Sequence, residues 1–580
     1  MCGIFGFIGN EDASKFLLEG IKRLEYRGYD SVGMATIFEN GIHIKKDKGN
    51  IDEVHKKHNF LSLKGNTGIT HTRWSTHGKV SKENAHPHSS CDGSIVLVHN
   101  GIIENYQELK EKLKNHAFKS ETDTEVIVHY FEEKLKNNKK NIKEAIVDFF
   151  NDIEGTFAIL LLKKDEPDTI YAIKRDSPLV LGVLDGKKII ASDIYAFSNL
   201  TNRAIFFDNN EFAAVSKDSY HFYNKEGKEI EKEIKKFEWS QEKSEKKEYS
   251  HYMIKEIMEE PLVLERLFFS LENEQKENFD VLVDLIKKSR KILFVAAGTS
   301  YHASLLGAYF LHQCNIEAQT LIASEFRNFA TVDSKTLVIA ITQSGETMDV
   351  IEALKYCQEK NAKIVSLVNV PYSTIQRMSE FSINILAGQE VCVAATKSFI
   401  NQVSLLLKLA EKLGYNVNLN KLKQEIKDVL AQKNKIKKIA DEIYMKNDLY
   451  ILGRGLSYPV AREIALKVKE ISYIHAEGMM GGELKHGTLA LIENGTPVIC
   501  LISNNDCDMI SNTKEVESRG ANVIIVSNEY PGSFRINTEN DGKFGILAVI
   551  FGQLLTYYMA LRRNLPIDKP RNLAKSVTVK

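Results

Sequence analysis

The chain has 580 residues, a length that at roughly 100 to 200 residues per domain predicts about three to five domains with ample buried core. Hydrophobic residues make up 43% of the sequence and charged residues 27%, which excludes disordered, collagen-like and coiled-coil classes. Lys plus Arg and Asp plus Glu each number 77, so the formal net charge is zero. No global field favours nucleic acid or an anionic membrane surface, and we expect neither as a partner.

Targeting and redox signals are also missing from the sequence. No run approaches the roughly 20 apolar residues of a membrane span, and the N-terminus lacks the pattern of a signal peptide, so we expect a cytoplasmic protein. The cysteines are scattered without paired metal-ligand spacing, which predicts neither a disulfide framework nor a zinc site. They stand at positions 2, 91, 314, 357, 392, 500 and 507.

Cys2 stands where removal of the initiator methionine would expose a new terminus, and cysteine is small enough to permit that removal. Its thiol and its α-amine would then lie on one residue, and an amine that titrates near about 8 can take the thiol proton. This arrangement predicts an N-terminal nucleophile. The alternative is a small buried hydrophobe at the start of a strand.

Three polar segments carry further candidate groups. In HTRWSTHG, at 71–78, Arg73 has the forked geometry that binds a carboxylate. The strand-like run SIVLVH, at 94–99, breaks into Asn100-Gly101, whose donors suit an oxyanion hole, although Asn-Gly is also a common hairpin turn. SETDTE, at 120–125, precedes a helix, which Thr122 or Asp123 would cap.

Together with CGI at 2–4, RLEYRGYDS at 23–31, NAHPH at 84–88 and HNGIIEN at 99–105, these segments resemble the class II glutamine amidotransferases. In that family the N-terminal cysteine attacks the glutamine carboxamide and releases ammonia. The resemblance implies that Cys2 is the nucleophile and that Asn100 and Gly101 form the oxyanion hole. It implies glutamine contacts from Arg73, Trp74, Thr76, His77 and Asp123.

Within this set, the resemblance implies that Arg73 binds the glutamine carboxylate and that Asp123 binds its α-amine. Trp74 resembles a gate on an internal ammonia channel. The alternative for Trp74 is a core aromatic residue.

A charged, weakly apolar stretch at 225–250 predicts a connection between domains, and from 251 onward helices alternate with apolar strands as in a doubly wound α/β sheet. This second region contains a duplication. KILFVAAGTSY at 291–301 matches DLYILGRGLSY at 448–458, and TLVIAITQSGETMD from Thr336 matches TPVICLISNNDCDM from Thr496 at nearly the same spacing. We predict a glutaminase domain at 2–224, a linker at 225–250, α/β domains at 251–430 and 431–565, and a tail at 566–580.

The two copies differ in the loops that follow their strands. In the first copy, Thr342–Thr347 joins hydroxyls, a glycine and the free N–H groups of a helix start, which favours phosphate binding. Gly298-Thr299-Ser300 offers a second such strand end. The second copy has no glycine in the equivalent loop. A generic strand-to-helix turn is the alternative for either loop.

This pairing resembles the sugar isomerase domain, which is a phosphosugar-binding α/β fold. With CVAATKSF at 392–399, KEISYIHAE at 469–477, GELKHG at 482–487 and PRNLAKSVTV at 570–579, the whole chain resembles a family of isomerizing aminotransferases. The resemblance implies an N-terminal-nucleophile αββα glutaminase domain followed by two doubly wound α/β sugar isomerase-type domains.

For that family the reaction converts L-glutamine and D-fructose 6-phosphate to L-glutamate and D-glucosamine 6-phosphate, at the start of hexosamine synthesis. The resemblance implies no cofactor and no metal. It also implies a homodimer or a larger homo-oligomer.

The same resemblance assigns the sugar chemistry. Lys575 corresponds to a lysine that forms a Schiff base with the open-chain ketose, Glu470 to the base that moves the proton, and His486 to a ring-opening residue contributed by a neighbouring subunit. Lys467 lies one helical turn before Glu470. Sugar-phosphate contacts are implied for Thr299, Ser300, Thr342, Gln343, Ser344, Thr347, Val393, Lys467 and Ala574. Family members commonly have serine in place of Thr342 and in place of Ala395.

Other families fit the residues less well. The amidophosphoribosyltransferases share the Cys2 domain but carry an acidic pyrophosphate-sugar loop, and asparagine synthetase needs an ATP loop that QSGET does not supply. A non-catalytic sugar-phosphate-binding regulator or an uncoupled glutaminase is the remaining alternative. Such a regulator would need none of Cys2, Glu470, His486 and Lys575.

Overall fold

The computed structural model describes residues 2–39, 41–75, 77–136, 140–237, 246 and 248–578. The chain forms two compact units. Unit one comprises Met1–Gln241 together with Ser576–Lys580, and unit two comprises Glu242–Lys575.

Unit one is built on two antiparallel sheets. Their strands are β1 (Gly3–Ile8), β2 (Ser31–Phe38), β3 (Gly41–Lys48), β4 (Thr67–Arg73), β5 (His88–Ser89), β6 (Ile95–Ile103), β7 (Gly155–Lys163), β8 (Ile170–Arg175), β9 (Val180–Leu184), β10 (Lys187–Ala191), β11 (Arg203–Phe206), β12 (Glu211–Val215), β13 (Tyr220–Asn224), β14 (Glu229–Ile230) and β15 (Lys235–Lys236). The first sheet has the order β15-β11-β9-β10-β1-β4-β2-β3 and the second β14-β13-β12-β8-β7-β6-β5.

The helices of unit one lie on the outer faces of these sheets. They are α1 (Ala13–Arg23), α2 (Ile51–His58), α3 (Tyr106–Lys112), α4 (Glu125–Lys136) and α5 (Ile142–Asp152). One core lies between the sheets and joins Ile4 of β1 to Val98 of β6. A second core packs Phe131 of α4 and Phe149 of α5 against the outer face of the second sheet. Since α1 packs on β1 and β4, the layers are αββα, which confirms the predicted fold class for this unit.

The charge run at 225–250 does not begin as a linker. Residues 225–237 belong to unit one, because β14 pairs with β13 and β15 pairs with β11. Both strands lie at sheet edges, where lysine and glutamate side chains remain solvated and discourage further strand pairing. Residues 238–245 and 247 lie outside the described residues.

Unit two contains two parallel five-stranded sheets. The first consists of β16 (Lys291–Ala296), β17 (Gln319–Ile322), β18 (Thr336–Thr342), β19 (Lys363–Val368) and β20 (Phe381–Asn384), and the second of β21 (Asp448–Gly453), β22 (His475–Met480), β23 (Pro497–Ile502), β24 (Asn522–Ser527) and β25 (Phe534–Arg535). Their orders are β17-β16-β18-β19-β20 and β22-β21-β23-β24-β25. Each sheet therefore has the 2-1-3-4-5 order of a doubly wound fold, as the duplicated βα units predicted.

Helices cover both faces of these sheets. They are α6 (Tyr252–Glu272), α7 (Lys276–Lys288), α8 (Gly298–Gln313), α9 (Phe326–Phe329), α10 (Met348–Glu359), α11 (Thr374–Met378), α12 (Lys397–Lys412), α13 (Leu422–Ala431), α14 (Lys433–Ile443), α15 (Ser457–Lys467), α16 (Cys507–Glu517) and α17 (Asp541–Arg562). One continuous core joins the two sheets through residues such as Leu306 of α8, Ile464 of α15 and Ile550 of α17.

Helix α17 corrects the expectation that no segment is apolar enough to cross a bilayer. By length and composition this helix passes that test, but 89% of its most apolar 18-residue window is buried inside the protein. Its apolar character on all sides is explained by burial in the core of unit two, where it packs against α13, α14 and α15. We therefore interpret α17 as a core helix.

Candidate active sites

Cys2 lies immediately before β1 and beside the end of β4. The pairing of Gly3 with Thr72 brings it next to Trp74, whose backbone N–H donates to the Cys2 Sγ at 3.3 Å. Burial raises the pKa of the Cys2 thiol. The thiol is therefore protonated at neutral pH, and attack on a substrate requires a base that takes its proton.

Asn100 contacts Cys2, and neither Asn100 nor Gly101 lies in a hairpin turn. Strand β6 continues through them to Ile103 and pairs Gly101 with Phe157 of β7, so the turn alternative is wrong. The Asn100 Nδ2 donates to the Cys2 carbonyl at 3.0 Å. Gly101 has φ +137°, and a Cβ there would lie 1.9 Å from the Thr156 carbonyl oxygen. Only glycine fits this position.

Arg73 and Asp123 are both buried, and the charge of each affects the pKa of the Cys2 thiol. Burial has the largest effect on the pKa of the Cys2 thiol, while the Arg73 charge lowers that pKa and the Asp123 charge raises it. Asp123 accepts a hydrogen bond from the Ile103 N–H at 2.8 Å. The Arg73 Nη2 donates to the His77 carbonyl, whereas its buried Nη1 has no hydrogen-bond partner among the described residues. A ligand carboxylate would recover the free energy that this unpaired donor costs.

The remaining predicted glutamine contacts follow Arg73 along the chain. The Trp74 ring packs edge-on against Tyr29 at 5.6 Å between centroids. The His77 ring packs edge-on against Tyr106 at 5.7 Å. Thr76 lies outside the described residues.

Sequence reasoning did not identify a cluster of buried histidines beside these groups. The rings of His71 and His86 stack at 4.0 Å, and His88 lies 4.8 Å from His86. The His99 Nδ1 lies 2.9 Å from the Thr124 Oγ1. Burial lowers the pKa of His71 to about 3, so this imidazole is neutral at pH 7. The sequence signal that could have indicated this cluster is the closeness of three histidine-containing motifs, at 71–78, 84–88 and 99–105.

In unit two, the two predicted phosphate loops follow the adjacent parallel strands β16 and β18. In this strand order the chain turns in opposite directions after these two strands, which is where doubly wound sheets bind ligands. The Thr342 Oγ1 accepts the Gly345 N–H at 3.1 Å and lies 3.3 Å from the Thr347 Oγ1. Gly345 has φ +68°, and a Cβ there would lie 1.9 Å from the Ser373 Oγ.

The other residues of these loops are less enclosed. Ser344 and Gln343 are half-buried, and the Ser344 Oγ accepts the Glu346 N–H at 3.2 Å. The Ser300 Oγ, in the first turn of α8, accepts a hydrogen bond from the Gln402 Nε2 at 3.0 Å.

Lys467 and Glu470 lie in a buried charge network. The Lys467 Nζ lies 2.6 Å from the Glu470 Oε2 and 3.4 Å from the Glu463 Oε1, and it donates to the Thr299 Oγ1 at 3.0 Å. Glu463 also binds the His302 Nδ1 at 2.7 Å. Burial alone would lower the pKa of Lys467, but Glu463 and Glu470 together raise it above its usual range.

The segment that carries Glu470 differs from the expected regular helix. Helix α15 ends at Lys467, and a π-helical turn, Val468–Ser472, follows it directly. Such turns are common at functional sites. The sequence pointed to Lys467 and Glu470 but not to Glu463 and His302, because those partners come from one turn earlier and from α8.

Lys575 is buried, although a lysine near a chain end is normally solvated. Its Nζ forms an ion pair with the Glu390 Oε2 at 2.5 Å. The other Glu390 oxygen accepts the N–H groups of Thr396 and Ser398 at 2.9 and 3.0 Å. Burial alone would raise the pKa of Glu390, but Lys575 and the Ser398 hydrogen bonds lower it to about 2.

Val393 lies in the 392–399 segment and Ala574 in the C-terminal segment that carries Lys575. The Val393 N–H donates to the Asp568 carbonyl at 3.1 Å, which ties the 392–399 segment to the C-terminal segment. Ala574, which directly precedes Lys575, is half-buried. Burial and the nearby Glu390 raise the pKa of Glu256 to about 8. The Glu256 carboxyl group is therefore mostly protonated and uncharged at pH 7, beside the ion pair of Lys575 and Glu390.

His486 is not brought to these groups within one chain. It lies exposed at the end of the short helical segment Gly481–His486. Among the described residues, no hydrogen bond or ion pair joins it to Glu470 or Lys575.

Comparison with known proteins gives matches over the whole chain. A family model described as a SIS domain matches residues 285–412 and 442–544, and one described as a glutamine amidotransferase domain matches residues 71–199. The curated glutamine–fructose-6-phosphate aminotransferases (isomerizing) of Thermococcus kodakarensis and Pyrococcus horikoshii are 42% and 41% identical, each match covering 100% of both chains. Among solved structures, the C-terminal domain of glucosamine-fructose-6-phosphate aminotransferase from Francisella tularensis is 32% identical with a TM-score of 0.51. This match covers 56% of the present chain and 100% of the Francisella tularensis chain.

Proposed function

The chain belongs to the family of glutamine–fructose-6-phosphate aminotransferases (isomerizing), and from that premise we propose how its residues perform the reaction. The enzyme converts L-glutamine and D-fructose 6-phosphate to L-glutamate and D-glucosamine 6-phosphate. The alternative of a non-catalytic regulator is not favoured, because the full-length relatives carry the name of the enzyme.

In unit one, the Cys2 sulfur attacks the glutamine carboxamide carbon once Met1 has been removed. The freed α-amine takes the thiol proton, which burial otherwise holds on sulfur. The C–N bond breaks, ammonia leaves, and water hydrolyses the resulting thioester to glutamate. Asn100 and the backbone at Gly101 stabilise the tetrahedral oxygen.

Recognition of glutamine follows from complementary charges. The unpaired Nη1 of Arg73 binds the α-carboxylate, and Asp123 binds the α-ammonium. Thr76 and His77 complete this site, with Trp74 as the gate through which ammonia leaves.

In unit two, the hydroxyls and N–H groups after β16 and β18 bind the sugar phosphate. Lys575 passes a proton to solvent water, attacks carbon 2 of the open-chain ketose and forms an imine with loss of water. Ammonia then replaces the lysine at carbon 2. Glu470 moves a proton from carbon 1 to carbon 2, and Lys467 holds that carboxylate in place.

The oligomeric state and the compartment form the finer part of the proposal. An exposed His486 suits a role in the site of a neighbouring copy, so we assign it ring opening across a homodimer. We also assign the enzyme to the cytoplasm, where its phosphorylated sugar substrate would be found.

The observation that carries the proposal is the burial of Lys575 on Glu390. Burying a charged pair costs desolvation free energy that the pair's own attraction often fails to offset, and an amine held at that cost is a candidate for chemistry. The test is an assay of the purified chain with both substrates that measures glutamate and glucosamine 6-phosphate together, after an intact-mass check for loss of Met1. Borohydride is then added with fructose 6-phosphate, and the labelled peptide is identified by mass.

Equal formation of both products and a label on Lys575 would support the proposal. Glutamate without amino sugar would contradict it in favour of an uncoupled glutaminase. A label on another lysine would overturn the role of Lys575 alone.

A further inference from the structure

A second constellation of reactive side chains lies in unit one, apart from the groups named so far. It consists of Cys91 in the turn after β5, His116 after α3, and His129 and Glu132 one turn apart on α4. One ligand atom from each residue, the Cys91 Sγ, a ring nitrogen of each histidine and a Glu132 oxygen, lies within 4.8 Å of all the others.

The separations match those of a tetrahedral metal site. The Cys91 Sγ lies 3.7 Å from the Nδ1 of both His116 and His129. The Glu132 Oε2 lies 3.2 Å from each of the same two nitrogens. A tetrahedral zinc ion with ordinary bond lengths sets its sulfur and nitrogen ligands about 3.6 Å apart and its nitrogen and oxygen ligands about 3.4 Å apart.

The groups behind the four ligand atoms also fit a metal centre. The His116 Nε2 lies 3.0 Å from the Glu133 Oε2, within hydrogen-bond range, whereas the buried His129 Nε2 faces the Glu125 Oε1 across 3.7 Å without a hydrogen bond. Histidines that bind metals commonly direct their second nitrogen to a carboxylate in this way. The Cys91 Sγ accepts the Ala117 N–H at 3.4 Å, a contact that stabilises a thiolate.

The outer contact of His116 favours a proton on its Nε2. A neutral imidazole carries one N–H, so a proton on Nε2 leaves a lone pair on Nδ1. With this tautomer at both histidines, two lone pairs, a sulfur and a carboxylate oxygen face one another at 3.2 to 3.7 Å, whereas with the other tautomer each Nδ1 donates to the Glu132 Oε2. A cation among them removes the repulsion, and the two negative charges of thiolate and carboxylate balance a divalent ion.

We propose that Cys91, His116, His129 and Glu132 bind one zinc ion. All four positions come from the protein, so the site is closed and structural rather than catalytic. His116 and His129 lie on either side of the 120–125 segment that contains Asp123, and Cys91 lies in the turn between β5 and β6. The ion therefore fixes the loop that carries Asp123 to the sheet that carries Asn100.

The linear spacing of these residues hid the site from sequence reasoning. Cys91 and His116 are 25 residues apart, and Cys91 and His129 are 38 apart, which is no recognised zinc spacing. The prediction of no metal site rested on that spacing and on the family resemblance.

The test is metal analysis of the untagged full-length enzyme, followed by titration of the metal-free enzyme with Co²⁺ alone and then with Zn²⁺ alone. We expect about one zinc per chain, and with Co²⁺ the thiolate-to-metal absorption and intense visible bands of a tetrahedral site. Cys91→Ser and His129→Gln should lose both signals. Cys507→Ser is the matched control, since Cys507 is an exposed cysteine in another part of the chain, and it should keep them.

A further variant tests the contribution of the carboxylate that contacts the His116 Nε2, without changing any of the four ligands. Glu133→Gln leaves all four ligands in place and should weaken zinc affinity by about 10-fold to 100-fold. Circular dichroism establishes that each variant is folded. Failure of the folded wild-type enzyme to bind either ion, or equal binding by Cys91→Ser, would overturn the proposal.

Discussion

The Lys575 ammonium lies 2.5 Å from the Glu390 carboxylate, and both side chains are almost completely buried. The two residues are 185 positions apart in the sequence. Glu390 also binds the backbone at the start of α12, so it anchors the C-terminal segment to that helix and holds the amine in one place.

This relationship gives the first prediction. Replacing Glu390 by glutamine removes the charge that balances the buried Lys575 ammonium and holds its amine in place, so amino-sugar formation should fall by about 100-fold or more. The measurement is the rate of glucosamine 6-phosphate formation, together with borohydride labelling of Lys575. The control is Glu272→Gln, an exposed glutamate in unit two, which should behave as wild type. Wild-type synthesis by Glu390→Gln would refute the role.

The second prediction concerns the separation of the two chemistries. Cys2→Ala should abolish glutamine hydrolysis and glutamine-dependent synthesis, because no other group supplies the nucleophile. Isomerisation of the sugar and synthesis from added ammonium salt should remain, since the groups proposed for them lie in unit two. Parallel assays with glutamine and with ammonium chloride measure this, and Cys507→Ala is the control. A matching loss of all three activities would show that the units do not act separately.

The third prediction tests the backbone at the oxyanion site. Gly101→Ala places a methyl group against the Thr156 carbonyl and should lower glutaminase activity by about 100-fold, the usual effect of losing an oxyanion donor. Gly93→Ala is the matched control, because Gly93 also has a positive φ, +70°, but open space around its Cβ position. It should cost only about 1 to 2 kcal/mol of stability. Similar glutaminase rates in the two variants would argue against the site.

The fourth prediction concerns acid pH. The pKa values of buried His71, His86, His88 and His99 are all lowered, chiefly by burial. Below about pH 6.5 the unfolded chain binds protons that the folded unit does not, so stability should fall by about 1.4 kcal/mol per pH unit for each such histidine. For His71 this loss continues down to about pH 3.

Tryptophan fluorescence during denaturant unfolding measures this, because both tryptophans, Trp74 and Trp239, fall within residues 1–241. His71→Asn should make the pH dependence shallower. The exposed His43→Asn should leave it unchanged. A stability of unit one that is flat between pH 7 and pH 5 would contradict the prediction.

Local patterns in the sequence were sufficient to predict the fold class, the duplication and the family. Strand and helix periodicity, together with two βα units at nearly equal spacing, predicted twin parallel sheets, and the structure has the same strand order in both. Short motifs such as those at Cys2 and Asn100 predicted the candidate site in unit one. These features are local, and local patterns are what a linear sequence displays.

Which residues distant in sequence form ion pairs or share a site depends on tertiary packing. Glu390 for Lys575, Glu463 and His302 for Lys467, and the meeting of Cys91 with His116, His129 and Glu132 all depend on how helices and strands pack. The same holds for the charged residues Glu229, Lys235 and Lys236, which lie in edge strands, and for α17, which is a core helix. Burial of a charged or apolar side chain is a property of its neighbours in space, and sequence spacing does not record those neighbours.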